Sequence, residues 1–261
     1  MTFNAELFDR AAAQYDEKPP FFRVLGAELV EFAHLPAGSA VLDIGAGKGA
    51  VTLPALAAVG PSGHVTAVDV SEQMIENLRG YSFSNLSVLR QDITESTILD
   101  ASHDHAVSGF TLHILSDFRS ALVQIHRILK DGGTLSWSKP GGHPESSEWE
   151  NSYGQIFETF SLRLMSTPSE MTEEPNYESI IRTVGFAIIE QVTVPVRIPV
   201  GGPEEYWAWT QTHGARWLTD QLSPSDAVEF KSAVIESLTQ LHPTRGHDIM
   251  VAPLFTKLQR R

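Results

Sequence analysis

The chain has 261 residues, 42% of them hydrophobic and 20% charged, enough to bury one large domain or a domain with a lid. Its 19 Lys and Arg against 32 Asp and Glu leave a net charge of −13, which disfavours a nucleic-acid partner because phosphate neutralisation needs cations. The absence of cysteine excludes disulfides, thiol catalysis and cysteine metal sites, and with no apolar core in Met1 to Arg10 and no run of ~20 apolar residues, a cytoplasmic location away from membranes is expected.

Residues 4–16 are predicted to be a helix, with Asn4 as N-cap and Leu7, Phe8, Ala11 and Tyr15 at helical spacing. Pro19 and Pro20 end it. Phe21 and Phe22 lead into a second amphipathic helix, with Val24, Leu25, Leu29, Val30 and Phe32 on its apolar side. Leu35 to Gly38 turn the chain into a first buried strand, Val41 to Ile44. The loop Gly45-Ala46-Gly47-Lys48-Gly49 and a helical run from Ala50 follow. Strand, glycine turn and helix make the first half of a nucleotide-binding βαβ unit. Glycine suits the turn because a Cβ there would hold a bound nucleoside off the backbone. The second strand, His64 to Val68, ends at Asp69, twenty residues after Gly49. A carboxylate at that strand end accepts hydrogen bonds from ribose hydroxyls.

The phosphate-binding fingerprints are absent. Position 50 is Ala where Gly-x-Gly-x-x-Gly needs glycine, and Lys48 is followed by Gly49 and not Ser or Thr. A ligand with a ribose and no phosphate fits better, and Asp43, read as aimed at the site, suits a cationic one. Asp43-Ile44-Gly45-Ala46-Gly47-Lys48-Gly49, with Asp69 beyond it, closely resembles the first two motifs of the class I S-adenosylmethionine-dependent methyltransferases.

The resemblance implies an α/β fold: a Rossmann-like, mostly parallel seven-stranded sheet with helices on both faces and a helical cap. It implies S-adenosylmethionine as cofactor, cradled by Asp43, Gly45, Ala46 and Gly47, with Asp69 on the ribose. Tyr15-Asp16 is similar to a pair that lies over the cofactor in that family, with Tyr15 on the methionine carboxylate; packing between helices is the other reading of Tyr15. Val70 and Met74, at the start of a helix capped by Ser71, would lie against the adenine, although Met74 also suits a core. After a third strand, Leu86 to Arg90, Asp92 would take the adenine amino group and Ile93 would offer its backbone amide. A fourth strand, Asp104 to Phe110, brings Phe110 and Thr111 to the cofactor. His113 then becomes a candidate active-site residue, with a purely structural role as the alternative. His103 and His105 lack a third ligand at metal-binding spacing, so no metal is expected.

Asp117 is predicted to cap a helix bearing Ala121, Leu122, Ile125, Ile128 and Leu129. Lys130 to Gly133 end it, and a fifth strand covers Thr134 to Ser138. Helices are expected over residues 148–165 and 177–184, a sixth strand over 186–198, a helical stretch over 203–242 and a last strand over 249–255. The parts are lid helices at 1–35, a cofactor-binding core at 36–140, completion of the core at 141–200, a cap insertion at 201–246 and the last strand in 247–261. An insertion of that length exceeds what a sheet connection requires. Its Trp207, His213 and Trp217, with Phe22 of the lid, are the candidates for lining an acceptor pocket. Trp207 and Trp209, two apart, cannot share a helix face.

The sequence therefore points to methyl transfer onto a small, apolar or aromatic metabolite, a role that fits secondary metabolism, with acceptor atom (O, N or C) and oligomeric state open. Two rivals stand beside it. A nicotinamide-dependent oxidoreductase needs the missing phosphate turn. A methyltransferase-like protein catalysing a different reaction would carry the same cofactor motifs.

Overall fold

The computed structural model describes residues 9, 12, 15, 16, 19–141, 148–164, 175–212, 216–241 and 247–261. The helix expected over 4–16 lies outside these residues, apart from Asp9, Ala12, Tyr15 and Asp16, and so does His213.

Helix α1 (Phe21–Ala33) precedes β1 (Ala40–Ile44), α2 (Thr52–Val59), β2 (His64–Asp69), α3 (Glu72–Arg79) and β3 (Leu86–Arg90). Next come β4 (His103–Ser108), α4 (Phe118–Ile128) and β5 (Leu129–Lys139). The second half holds α5 (Glu148–Leu164), α6 (Tyr177–Val184), β6 (Phe186–Thr193), β7 (Val196–Val200), α7 (Pro203–Thr210), α8 (Arg216–Gln221), α9 (Pro224–Leu241), β8 (His247–Val251) and β9 (Leu254–Arg260).

Seven strands form one sheet in the order β3-β2-β1-β4-β5-β9-β6. Strands β1 to β5 pair in parallel, and β9 runs antiparallel to both β5 and β6. The expected mostly parallel seven-stranded α/β fold is what forms. Central strands are apolar on both faces because helices cover both. Val41, Val65 and Val107 pack with Leu29, Val30, Ala55 and Val59 of α1 and α2. Leu42, Ala106 and Leu135 point the other way, to Leu122, Ile125 and Ile181 of α4 and α6.

Two expected strands divide. The sixth was expected as one run over 186–198, but it breaks at Val194-Pro195; the last, expected over 249–255, breaks at Ala252-Pro253. The cause is proline, which has no N–H for a ladder. Only β6 and β9 belong to the large sheet, while β7 and β8 pair with each other as a separate ribbon. Val194 N still donates to Pro253 O at 3.1 Å, so the two breaks sit side by side. The stretch expected to be helical over 203–242 becomes α7, α8 and α9, with Pro224 opening the last, where its missing N–H costs nothing.

The ribbon and these helices build the cap, and α5 joins them. Trp149 and Phe160 of α5 share one apolar cluster with Val196, Ile198, Trp207, Leu218, Phe230, Val234 and Ile249. Phe21 and Leu25 of α1 belong to the same cluster, so α1 ties cap to sheet. Among the described residues no helix is long and apolar enough to cross a membrane.

Candidate functional site

The glycine loop leaves β1 through a bend that its own amides hold. Gly45 N and Ala46 N both donate to Val68 O, at 2.9 and 3.0 Å, and Gly47 N donates to Asp69 Oδ2 at 2.8 Å. Gly45 has φ +69°, and a Cβ on it would fall 2.2 Å from Thr111 Oγ1. Gly47 has φ +54°, and a Cβ there would meet nothing within 4 Å, because that side of the loop opens onto space. The left-handed backbone makes glycine the residue of least strain at both positions.

Two adjoining cavities meet at this loop. The larger, of about 410 Å³, runs from Gln91, Asp92 and Ile93 past Asp69, Val70 and Met74 to Phe110, Thr111 and Leu115. The smaller, of about 200 Å³, lies between the loop and α1 and is lined by Asp16, Phe22, Arg23, Ala46, Lys48 and Tyr81 among others. Tyr15, Gly45, Gly47, Gly109 and Phe110 belong to both walls.

Asp69 is half-buried. Its oxygens accept from Gly47 N and from Ser71 N, the latter at 2.9 Å. Burial pushes its pKa up, the backbone N–H groups pull it down, and Asp9 adds a push upward. Asp92 is exposed at the far end of the larger cavity, its Oδ1 taking Thr94 N and Thr94 Oγ1, both at 2.8 Å. Ile93 and Met74 are almost fully buried and offer apolar wall. Tyr15 stacks on Phe22, with ring centroids 4.8 Å apart and planes 6° from parallel. Burial, then the charges of Asp16 and Asp69, hold its phenol firmly protonated.

Phe110 stands where the cavities join. Its φ of +52° is unusual for a non-glycine residue. Its amide donates to Ser138 Oγ at 3.0 Å, a hydroxyl buried on the neighbouring β5. The ring lies 6.4 Å from Phe21, 6.2 Å from Phe22 and 6.1 Å from His113, edge to face in each case. Phe21 in turn lies 5.1 Å from Trp209 of α7. A row of packed rings thus runs from the cavity junction, where Phe22 and Phe110 line the walls, through Phe21 to Trp209 in the cap.

Other candidates fall elsewhere. Asp43 does not face either cavity. It is fully buried under the loop, where Thr52 Oγ1 donates to its Oδ2 at 2.5 Å, and burial pushes its pKa up to about 7. His113, on a short 3₁₀ turn over Leu112–Ile114, lines neither cavity and sits behind Phe110. Trp207 packs on Phe230 at 5.3 Å inside the cap, and Trp217 packs at the edge of the same core, so neither reaches a cavity wall. Trp207 and Trp209 diverge as their spacing requires, and Trp209 is the one that packs on Phe21, beside Phe110. Arg23 and Ser138 are the residues that sequence reasoning passed over, and both are brought in by packing. Asp16 and Lys48 were quoted within motifs without a role of their own, and both line the smaller cavity.

The larger cavity fits the cofactor that the motifs imply. Carboxylates stand at two points along it, apolar side chains lie between them, and the Gly47 face that a Cβ would fill is open. Among the described residues no cluster could hold a metal ion.

Comparison with known proteins agrees with this geometry. A family model described as a methyltransferase domain matches residues 41–133. A nocamycin O-methyltransferase from Saccharothrix syringae is 21% identical, over 89% of this chain and 90% of that protein. Aklanonic acid methyltransferase DauC from a Streptomyces species (strain C5) is 31% identical, over 52% of this chain and 64% of that protein. The fold is shared with a solved complex between a Haloferax volcanii methyltransferase activator, Trm112, and its methyltransferase, at 21% identity and a TM-score of 0.59, covering 98% of this chain and 96% of that one. The matched segment contains the glycine loop, Asp69 and Asp92, so residues 41–133 are similar to a methyltransferase domain, and the fold is the one that solved methyltransferases share.

Proposed function

We propose that this protein transfers a methyl group from S-adenosylmethionine to a small apolar or aromatic metabolite. The observation that carries the acceptor class is the pair of rings that line the cavities at their junction, Phe22 and Phe110, with Phe21 and Trp209 packed behind them towards the cap. Rings suit a planar apolar acceptor, since edge and face contacts add to plain burial. The named relatives, a nocamycin and an aklanonic acid methyltransferase, support a small-molecule acceptor and a place in secondary metabolism.

S-adenosylmethionine, when bound, supplies an electrophilic methyl group on a sulfonium centre. The chain's residues hold and align the reactants. Asp69 would accept from the ribose hydroxyls and Asp92 from the adenine amino group, with Ile93, Val70 and Met74 against the ring. Gly45, Ala46 and Gly47 would pass beneath the amino-acid end, and Tyr15 would close over it. Phe110 and Thr111 would border the reacting end, where an aromatic face favours a nearby cation. Alignment and exclusion of water are the means by which such a site accelerates an in-line displacement. His113, behind Phe110, would steady that ring, and so orient the acceptor indirectly.

The test is incubation with methyl-labelled S-adenosylmethionine and a panel of phenols, quinones and aromatic acids, with transfer read by mass spectrometry. Label on at least one apolar or aromatic acceptor is expected. Tight binding of S-adenosylhomocysteine with no transfer to any acceptor class would favour a different reaction in the same pocket.

A further inference from the structure

We infer that Ser138 is a positioning residue for the reaction: its hydroxyl fixes the Phe110 ring at the junction of the two cavities, and with it the line along which an acceptor meets the methyl group. The inference rests on the proposed methyl transfer beside Phe110.

Strand β5 runs on past the end of its neighbour. The parallel ladder between β4 and β5 closes with Ser108 opposite Trp137. On its other side Ser138 still pairs with Phe255 of β9, so its backbone stays engaged there. The side chain takes over where the ladder to β4 stops: Phe110 N donates to Ser138 Oγ at 3.0 Å. Ser138 is only 1% exposed, so water is a poor substitute for this acceptor.

The bond secures a conformation that few bulky residues hold. With φ at +52°, Phe110 lies in the left-handed region, where a side chain of its size is strained and stays only if its surroundings fix it. Three neighbours do so. A Cβ on Gly109 would fall 2.8 Å from Val51 Cγ2, so the chain before Phe110 lies tight against the start of α2. Thr111 Oγ1 donates back to Gly109 O at 3.1 Å. Of the three contacts, the one made to Phe110 itself is the bond to Ser138. Rotation back to the extended region would turn the Cα–Cβ bond and carry the ring off the wall it gives to both cavities. Phe22, the other ring at the junction, is held by the backbone of α1 and needs no such bond. Misplacement by about 1 Å can cost ~10²-fold in rate, so a freed Phe110 lowers turnover while Asp69 and Asp92, further along the larger cavity, still hold the cofactor.

The test uses the full chain, as wild type, Ser138→Ala, which removes the hydroxyl, and Ser138→Thr, which keeps it. Each is also made with 4-fluorophenylalanine at position 110, inserted by codon suppression and read by fluorine NMR. One sharp line is expected from wild type and Ser138→Thr, and a broadened or second line from Ser138→Ala. With an acceptor found in the labelled-methyl panel, kcat of Ser138→Ala should fall by roughly tenfold or more, and Ser138→Thr should recover most of it. Affinity for S-adenosylhomocysteine should stay within about twofold in both. Should Ser138→Ala not fold, Ser138→Cys, of similar size but a weak acceptor, takes its place. An unchanged fluorine line in a folded Ser138→Ala protein overturns the proposal. So does a freed ring with wild-type kcat, or a loss of kcat matched by a loss of S-adenosylhomocysteine affinity, which marks a merely structural role. A wild type that transfers methyl to no acceptor would overturn the proposed function instead, and the fluorine line would still decide whether Ser138 holds the ring.

Discussion

The amide of Gly47 donates to the carboxylate of Asp69 at 2.8 Å, tying the loop after β1 to the end of β2. One side chain therefore both shapes the loop and faces the larger cavity.

Asp69→Ala is expected to weaken S-adenosylhomocysteine binding by ten- to a hundredfold, about 1.5–3 kcal/mol for hydrogen bonds to a charged acceptor. At a fully exposed strand end the fold would hardly notice the change. With Gly47 N and Ser71 N both bonded to this carboxylate, melting temperature should fall too. Asp69→Asn keeps one acceptor oxygen and should lie between. Calorimetry and thermal melts read the two effects separately; a folded Asp69→Ala protein with wild-type affinity would remove Asp69 from the ligand.

Gly26 lets α1 dock on the loop helix. A Cβ there would lie 2.3 Å from the backbone oxygen of Ala50. Gly26→Ala gains roughly 1 kcal/mol of helix propensity, but overpacking against backbone costs about 1–3 kcal/mol and forces α1 away. Net destabilisation in urea unfolding is expected, together with weaker cofactor retention. A more stable variant would mean that α1 sits less tightly than described.

Asp43 makes stability depend on pH with a definite sign. Its folded pKa is raised to about 7 from 3.8, so the folded state holds a proton that the unfolded chain releases. Its contribution is fully favourable below about pH 4 and is lost as pH rises towards 7, on the order of 4 kcal/mol in all. Asp43→Asn abolishes that slope, so the variant's stability relative to wild type should climb between pH 4 and 7 and then level off. Chemical denaturation at a series of pH values checks this; a difference that stays flat across the window would place the titration elsewhere.

Once an acceptor is known, His113→Ala and His113→Asn should each lower kcat/KM by less than about tenfold, with the acidic limb of the pH–rate profile unchanged. Loss of a general base typically costs ~10²–10⁴. The expectation follows from the imidazole lying behind Phe110 and off both cavity walls. A large loss in both variants, with the acidic limb gone, would show that His113 reaches the reacting atoms.

The sequence by itself determined the strand–glycine–helix unit around Gly45 to Gly49, the carboxylates Asp69 and Asp92 at strand ends, and the continuous buried runs of β1 and β2. These are local signals: a turn needing φ above zero, an unbroken apolar run, a residue ending a strand. Tertiary structure decided which side chains face the ligand. Asp43 sits two residues before Gly45, yet it points beneath the loop to Thr52. Trp207 and Trp209 share a helix, but only the packing of α7 on α1 and α9 sends Trp209 to Phe21 and Trp207 to Phe230. Pro195 and Pro253 fall inside runs that were each expected to be one strand, and both runs divide there. That their breaks lie together, and start a ribbon carrying the cap, depends on β6 pairing with β9 across some sixty residues of chain. Arg23 and Lys48 line one cavity for the same reason: periodicity places a residue on a face, and only the docking of distant elements decides what that face meets.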